Sequence, residues 1–238
     1  MNTITLPSIE VESWDILISG HLKWNRYFGE TMEMPPRGNP STCSTVLIQG
    51  YQRDGSIYRL LVDPAIRHSR EESYFDLNRR TGLTPDRITH CFSTHHHFDH
   101  WNGIKYYPHA VWCTTKDNLP LIQEAVKQAW KRGTEPGDGE SAVIPAERFQ
   151  IVEGEFLPGV QAVPLPGHTK ALHGIAFCFH GRRILAASDS VMTRNHFRDR
   201  KTEFQPDPQL MAKAAETIDC IAAQFDIVIP GHDTPIIL

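Results

Sequence analysis

Residues 94–100 read Thr-His-His-His-Phe-Asp-His and hold four of the 13 histidines in the chain. Imidazole nitrogens and carboxylate oxygens are the ligands that Zn2+, Fe2+ and Mn2+ accept. His95 and His97 stand two residues apart, so an extended backbone aims both rings at one ion, while His96 between them points to the opposite side. Asp99 and His100 follow a turn and can face a neighbouring ion. Buried imidazoles without partners would each cost free energy, which argues against chance clustering. Three further candidates share one feature, a position just past a β-rich run. They are His168 in Pro-Gly-His-Thr, Asp189 in Ala-Ser-Asp-Ser and His232 in Pro-Gly-His-Asp. The intervals from His97 onward are 71, 21 and 43 residues, each long enough for a helix or hairpin between ligands. Such ligands converge if the strand ends share one sheet edge.

The elements that must position them follow from periodicity and punctuation. Residues 9–23 alternate and read as a strand or hairpin arm, and 27–43 as a loop rich in Pro, Gly, Glu and Met. Runs 44–49 and 58–62 flank Asp54-Gly55, a hairpin signal. A helix is expected over 72–81, closed by Gly82, then strands at 88–93 and 110–114. Leu119, Ile122, Val126, Ala129 and Trp130 recur at helical spacing, with Gly133 as a stop. A Gly-rich loop is expected over 133–141, and strands at 149–152, 160–163, 173–179, 183–187 and 227–229. Asp207-Pro208 is an N-cap with proline at the first helical position. Two sheets packed face to face with helices outside would bury these runs. The expected fold is α/β, one four-layer domain over residues 1–238.

Composition narrows the function classes. The chain has 238 residues, 40% hydrophobic and 22% charged, so a packed core is attainable. Lys plus Arg number 24 and Asp plus Glu 28, a net charge of −4, which gives no footprint for gripping nucleic acid. No apolar run reaches a membrane span of about 18 residues. The N-terminus lacks a signal-peptide pattern, so the expected compartment is cytoplasmic. Five cysteines without a C-x-x-C read as free thiols.

The ordered set H-x-H-x-D-H, P-G-H-T, an isolated Asp and G-H resembles the metallo-β-lactamase superfamily, over residues 44–233. Asp63, ending an early strand, is similar to that family's first motif, which supports a ligand from outside the metal shell. The resemblance implies an αββα sandwich with metals at one rim of the sheets. It implies that His95, His97 and His168 bind a first ion, that Asp99, His100 and His232 bind a second, and that Asp189 bridges both. Two divalent ions, zinc first with iron or manganese as alternatives, would hold a hydroxide between them and act as Lewis acids. Asp99 would then be catalytic, receiving the proton and passing it to the leaving group. Asp63 would orient a ligand imidazole or fix the local loop.

Asp189 narrows the resemblance further, since true β-lactamases carry Cys or Ser there. The chain is similar instead to the branch of glyoxalase II, lactonases and related esterases. A dinuclear metal-dependent hydrolase of a small-molecule ester, thioester or lactone is therefore expected. The alternatives are a mononuclear iron persulfide or thiol dioxygenase of the same fold, or a phosphodiesterase. Lactonases carry a tyrosine shortly after the bridging Asp, where this chain reads Ser190-Val191-Met192. The partner is a small molecule, with neither nucleic acid nor membrane expected, and the sequence names no substrate-binding residue. Arg194, Arg198, Arg200 and Lys201 read as a solvated basic loop, with an anion-binding role as the alternative. His173 and His196 read as structural, and Trp101 as packing or as a wall of the site. The helix at 119–131 and the loop at 32–40 are expected to flank the rim.

Overall fold

Alternation in the strands sets the layers. Ser13–Ile18 (β1), Thr45–Tyr51 (β2) and Ile57–Val62 (β3) pair as an antiparallel meander. His90–Phe92 (β4), Val111–Thr114 (β5) and Phe149–Ile151 (β6) extend it in parallel, giving a six-stranded sheet in sequence order. Gly154–Leu157 (β7), Val160–Pro164 (β8), His173–Phe179 (β9), Arg182–Ser188 (β10), Ile227–Pro230 (β11) and Ile236–Ile237 (β12) form the second sheet, again in sequence order. There β10 and β11 run parallel and the other pairs antiparallel. This computed structural model describes residues 3–22, 42–66, 69–131, 146–201 and 207–238. The loops expected at 32–40 and 133–141, and most of that at 27–43, lie outside the described residues.

Period-two patterning decides which side chain enters which core. Val46, Ile48, Leu60, Val62 and Phe92 meet Val160, Ala162, Ile175, Phe177 and Ile184 between the sheets. Leu47, Leu61, Cys91 and Trp112 point the other way, onto Leu77 of helix α1 (Arg70–Thr81) and Ile122 of α2 (Leu119–Lys131). Ala176, Leu185 and Val228 pack outward on Ile218 and Ile221 of α4 (Pro208–Gln224). The order helix, sheet, sheet, helix is the expected αββα sandwich, and both sheets are buried on two faces.

Local signals fix the element ends. Ser69 caps α1, its hydroxyl accepting from Glu72 N, and Gly82 closes it with φ 71°, a left-handed position suited to glycine. Asp207 caps α4 by accepting from the N–H groups of Gln209 and Leu210. The expected basic loop is corrected in part. Arg194–Asp199 forms a short helix, α3, because Thr193 caps it by accepting from His196 N and Arg200 ends it in the left-handed region. Two short edge strands, β7 and β12, are additions, since neither carries an apolar run long enough to read as a strand.

Strand direction places the rim. The C-terminal ends of β3 and β4 share one edge because those strands are parallel. In the second sheet β10 is parallel to β11, and β8 shares the direction of β10 across the antiparallel β9. The loops after β3, β4, β8, β10 and β11 therefore leave from carboxyl ends, where α/β sheets commonly bind ligands.

Away from the rim, Asp226 ties β10 to the start of β11. It accepts from Arg183 N at 2.8 Å and from Nε and Nη2 at 3.1 Å. The Arg183 side-chain hydrogen bond, with that of its backbone, lowers the Asp226 pKa from 3.8 to about 2. The stability this carboxylate contributes is therefore complete above its unfolded pKa and disappears as pH falls through about 2. Asp226→Asn is expected to lower Tm by about 2–4 °C at pH 7, an exposed pair contributing at most about 1 kcal/mol. Thermal melts should show the gap to wild type closing between about pH 4 and pH 2. A gap independent of pH would mean that the carboxylate charge plays no part.

Candidate metal centre

The loop that follows β4 carries the dense motif. Its residues Phe98–His100 wind into a 3-10 turn, and the His100 ring comes to lie 4.1 Å from that of His95, centroid to centroid. His95 Nε2 and His168 Nε2 lie 3.0 and 2.8 Å from His97 Nδ1. Asp189 Oδ2 stands 3.3 Å from His168 Nε2 and 3.9 Å from His95 Nε2. Its other oxygen, Oδ1, stands 3.2 Å from His232 Nε2 and 3.4 Å from His100 Nε2. Asp99 Oδ2 approaches the same two nitrogens, at 3.6 Å from His232 and 3.8 Å from His100. Two sets result, His95-His97-His168-Asp189 and Asp99-His100-His232, each with its ligating atoms within 4.8 Å of one another. All seven residues read from the sequence thus meet at one rim, with one oxygen of Asp189 facing each set.

Outward hydrogen bonds fix the rings. His100 Nδ1 donates to Asp63 Oδ2 at 2.8 Å, leaving Nε2 turned to the centre. His232 Nδ1 donates to the Thr42 carbonyl at 3.0 Å, with the same result. Asp63 also accepts from Thr94 N and Oγ1, both at 2.8 Å, and from Ser188 Oγ at 2.9 Å. It therefore holds the His100 ring from behind and ties the loop after β4 to the end of β10. Cys43, Asp63 and His100 form a third close group, but Asp63 and the ring's Nδ1 are spent on hydrogen bonds, and burial pushes the Cys43 thiol up to about 12.

Charge follows burial. His95 and His97 are held below the usual imidazole range by burial, and His168 is pushed down to about 4 by the same cause. Burial thus favours the neutral form of these three rings, the form in which imidazole ligates metal. Burial opposes a charge on His100, but Cys43, Asp189, Asp99 and Asp63 together raise it well above its ordinary value. His232 is raised by Asp189 and Asp99 against the same burial cost. Burial likewise opposes the Asp189 carboxylate, and His232, His100 and His168 outweigh it.

The donor set fits divalent ions. His100 Nε2 and Asp189 Oδ1 are buried without a hydrogen-bond partner and face each other across 3.4 Å. Buried polar atoms in that state need an explanation, and a cation between them supplies one. The residues the sequence left aside fall outside both sets. The Trp101 ring is buried in the core under α1 and donates to the His96 carbonyl at 2.9 Å. His173 Nδ1 meets the Ala171 carbonyl at 2.9 Å. Arg198 and Arg200 pair with Asp199 and Asp219, both at 2.8 Å, and Arg194 bonds Thr234 and Pro235.

Sequence reasoning missed Thr94, Ser188 and Thr42 as supports of the centre. Nothing in their type or spacing marks them, since they act through hydrogen bonds between distant loops. Ser188 takes φ 50°, a left-handed backbone in which a non-glycine residue is uncommon. Gly231, by contrast, stands in the Pro-Gly-His motif for a steric reason. A Cβ there would lie 2.0 Å from Asp189 Oδ1.

The αββα sandwich and its ligand-bearing rim define a metal-binding fold class, and comparison with known proteins gives it a name. The metallo-β-lactamase superfamily profile matches residues 38–232, and the chain belongs to that superfamily. An N-acyl homoserine lactonase of Bacillus thuringiensis is 24% identical over 169 residues, 69% of this chain. The match covers 64% of the lactonase, so the chain spans less than two thirds of that relative's length. Metallo-beta-lactamase domain-containing protein 1 of Xenopus laevis is 26% identical over 207 residues, 80% of this chain and 79% of its own. A metallo-β-lactamase-type structure from Thermotoga maritima superposes with a TM-score of 0.66 at 18% identity, covering 97% of this chain and 100% of its own.

Gly231→Ala is expected to displace the Asp189 carboxylate. Overpacking of this kind costs about 1–3 kcal/mol, so Tm should fall by roughly 5 °C, and metal content after dialysis should drop. Retention of wild-type metal content would show that Asp189 has room to move.

Proposed function

We propose that the chain is a dinuclear metal-dependent hydrolase that cleaves a small-molecule ester, thioester or lactone. The observation that carries this reading is the orientation of Asp189, with Oδ2 toward His95 and His168 and Oδ1 toward His100 and His232. A carboxylate between two complete ligand sets suits two ions better than one, which favours hydrolysis over mononuclear oxygen chemistry. His95, His97 and His168 would hold the first ion, Asp99, His100 and His232 the second, and Asp189 both. Zinc is the first choice, since imidazole and carboxylate are its ordinary ligands, with iron or manganese as alternatives. Bound there, a pair of divalent ions supplies Lewis acidity and an activated water at neutral pH.

The protein's own groups then have distinct tasks. Asp99 is the carboxylate of the centre that water reaches, with 26% of its side chain exposed against 3% for Asp189. It is placed to take a proton from the attacking water and deliver it to the leaving group. Asp63 keeps His100 in the tautomer that turns Nε2 inward. The named lactonase relative supports a cyclic ester as the first substrate class to test. Ser190, Val191 and Met192 are buried, and these three positions offer no phenol to a leaving alkoxide. Among the described residues no helix is long and apolar enough to cross a membrane.

The deciding experiment is a substrate panel on metal-replete protein, covering lactones, thioesters, phosphodiesters and β-lactams, with oxygen uptake on persulfide beside it. Turnover confined to carboxylic esters, thioesters or lactones is the expected result. Oxygen consumption with one iron per chain would overturn it. Asp189→Ala should bind fewer than two ions and lose turnover by more than about 100-fold, beyond the cost of losing a supporting partner of a ligand. Two ions held with wild-type affinity would remove Asp189 as the bridge. His97→Ala should lose the first ion, and unchanged turnover would remove the mechanism.

A further inference from the structure

Residues 42–45, just before and at the start of β2, carry no charge, yet they touch Asp99, His232 and the support of His100, the three ligands assigned to the second ion alone. The Thr42 carbonyl accepts from His232 Nδ1 at 3.0 Å. The Cys43 thiol, fully buried, donates to the Asp99 carbonyl at 3.1 Å, while the Asp63 carbonyl lies farther off at 3.7 Å. Ser44 N donates to the Gly231 carbonyl at 2.6 Å, next to His232. Thr45 Oγ1 donates to the Asp63 carbonyl at 2.7 Å and accepts from Ala65 N at 3.1 Å. None of these contacts goes directly to His95, His97 or His168; the nearest link runs through Asp63 and Thr94 Oγ1, 3.2 Å from His95 Nδ1.

The geometry of Asp63 explains why such support is needed. Its φ is 49°, a left-handed conformation that is uncommon for a residue with a Cβ. The Thr45 hydroxyl bridges Asp63 and Ala65 across that turn and holds it. Asp63 in turn holds His100 Nδ1 at 2.8 Å. Asp99 sits in a single 3-10 turn, and the Cys43 thiol fastens that turn through its carbonyl. The segment thus links β11, the 3-10 turn and the end of β3, the three places from which the second ion's ligands are held.

We propose that residues 42–45 form a positioning clasp for the second metal ion, with Cys43 and Thr45 as its side-chain members. The proposal rests on the two-ion reading above. It assigns different consequences to the two ions. Loss of either side chain loosens the Asp99-His100-His232 set and leaves the first set intact. A supporting partner of a metal ligand is commonly worth 10–100-fold in affinity, and the second ion should weaken by about tenfold.

The test is cobalt titration of the apo-protein, followed by visible absorption, for wild type, Cys43→Ala, Thr45→Val and the conservative Cys43→Ser and Thr45→Ser. Apo-protein melting temperatures are measured beside it. The expected result is a first equivalent bound as in wild type by every variant. The second should weaken about tenfold in Cys43→Ala and Thr45→Val and recover in the serine variants. Wild-type binding of both equivalents, or equal weakening of both, would overturn the clasp. A thiolate-to-cobalt charge-transfer band lost in Cys43→Ala would also overturn it, because Cys43 would then be a ligand. Wild-type protein that takes up a single ion would instead overturn the two-ion reading, and the clasp with it.

Discussion

A neutral imidazole has one nitrogen that donates and one that accepts, and at the rim of this sandwich the donors are used up facing outward. His100 Nδ1 is spent on Asp63 and His232 Nδ1 on the Thr42 carbonyl. Their Nε2 atoms are bare acceptors, and what they face is the acceptor oxygen of Asp189, at 3.4 and 3.2 Å. While both rings stay neutral, no hydrogen bond among these groups resolves acceptor against acceptor. A positive charge between them does. Without metal, protons fill that role, which is why the carboxylates raise His100 and His232 in spite of burial. A divalent ion satisfies the same field with more charge and fixed geometry, and its affinity then competes with protonation.

The rest of the fold supplies what that cluster requires. Strand directions bring five loop starts to one edge, and the sandwich lets ligands come from both sheets. The rim must then stay closed although its halves lie far apart in sequence. Thr94, Asp63 and Ser188 meet across the gap, and His173 N donates to the Thr94 carbonyl at 3.1 Å. Burying polar groups this densely is tolerable only because nearly each one finds a partner. Gly231 lets the backbone of one ligand loop lie against the carboxylate of another, which any side chain would prevent.

Much of this was legible in the sequence because the signals were local. The i, i+2 histidines, the Pro-Gly-His turns and Asp63 at a strand end each declare themselves within a few residues. The hairpin at Asp54-Gly55 and the helix opened by Asp207-Pro208 came from turn and cap chemistry of equally short range. The supports were illegible because they are relations between loops. Cys43 reads as one free thiol among five, and only the folded path of the chain just before β2 brings it to the Asp99 carbonyl. Helix α3 was read as a loop because it spans six residues with no apolar period; its cap at Thr193 outweighs that composition. Strand β7 lies at a sheet edge and needs no inward run to form.

The two sides of the centre are built differently, and the difference bears on how a substrate approaches. On the second side, His100 and His232 are sealed and braced by residues from three loops. On the first side His95 and His168 are equally buried, but His97 is only half-buried, and Phe98 between it and Asp99 is 40% exposed. Among the described residues, 97–99 form the exposed arc of the centre, which also presents the Asp99 side chain. A group that must exchange protons with a departing product has to stand where water reaches it. A group that must hold charge against leakage has to stand where water does not. Asp99 and Asp189 differ in this respect, and under the proposed two-ion reading that difference in burial suits Asp99 to moving protons and Asp189 to bridging.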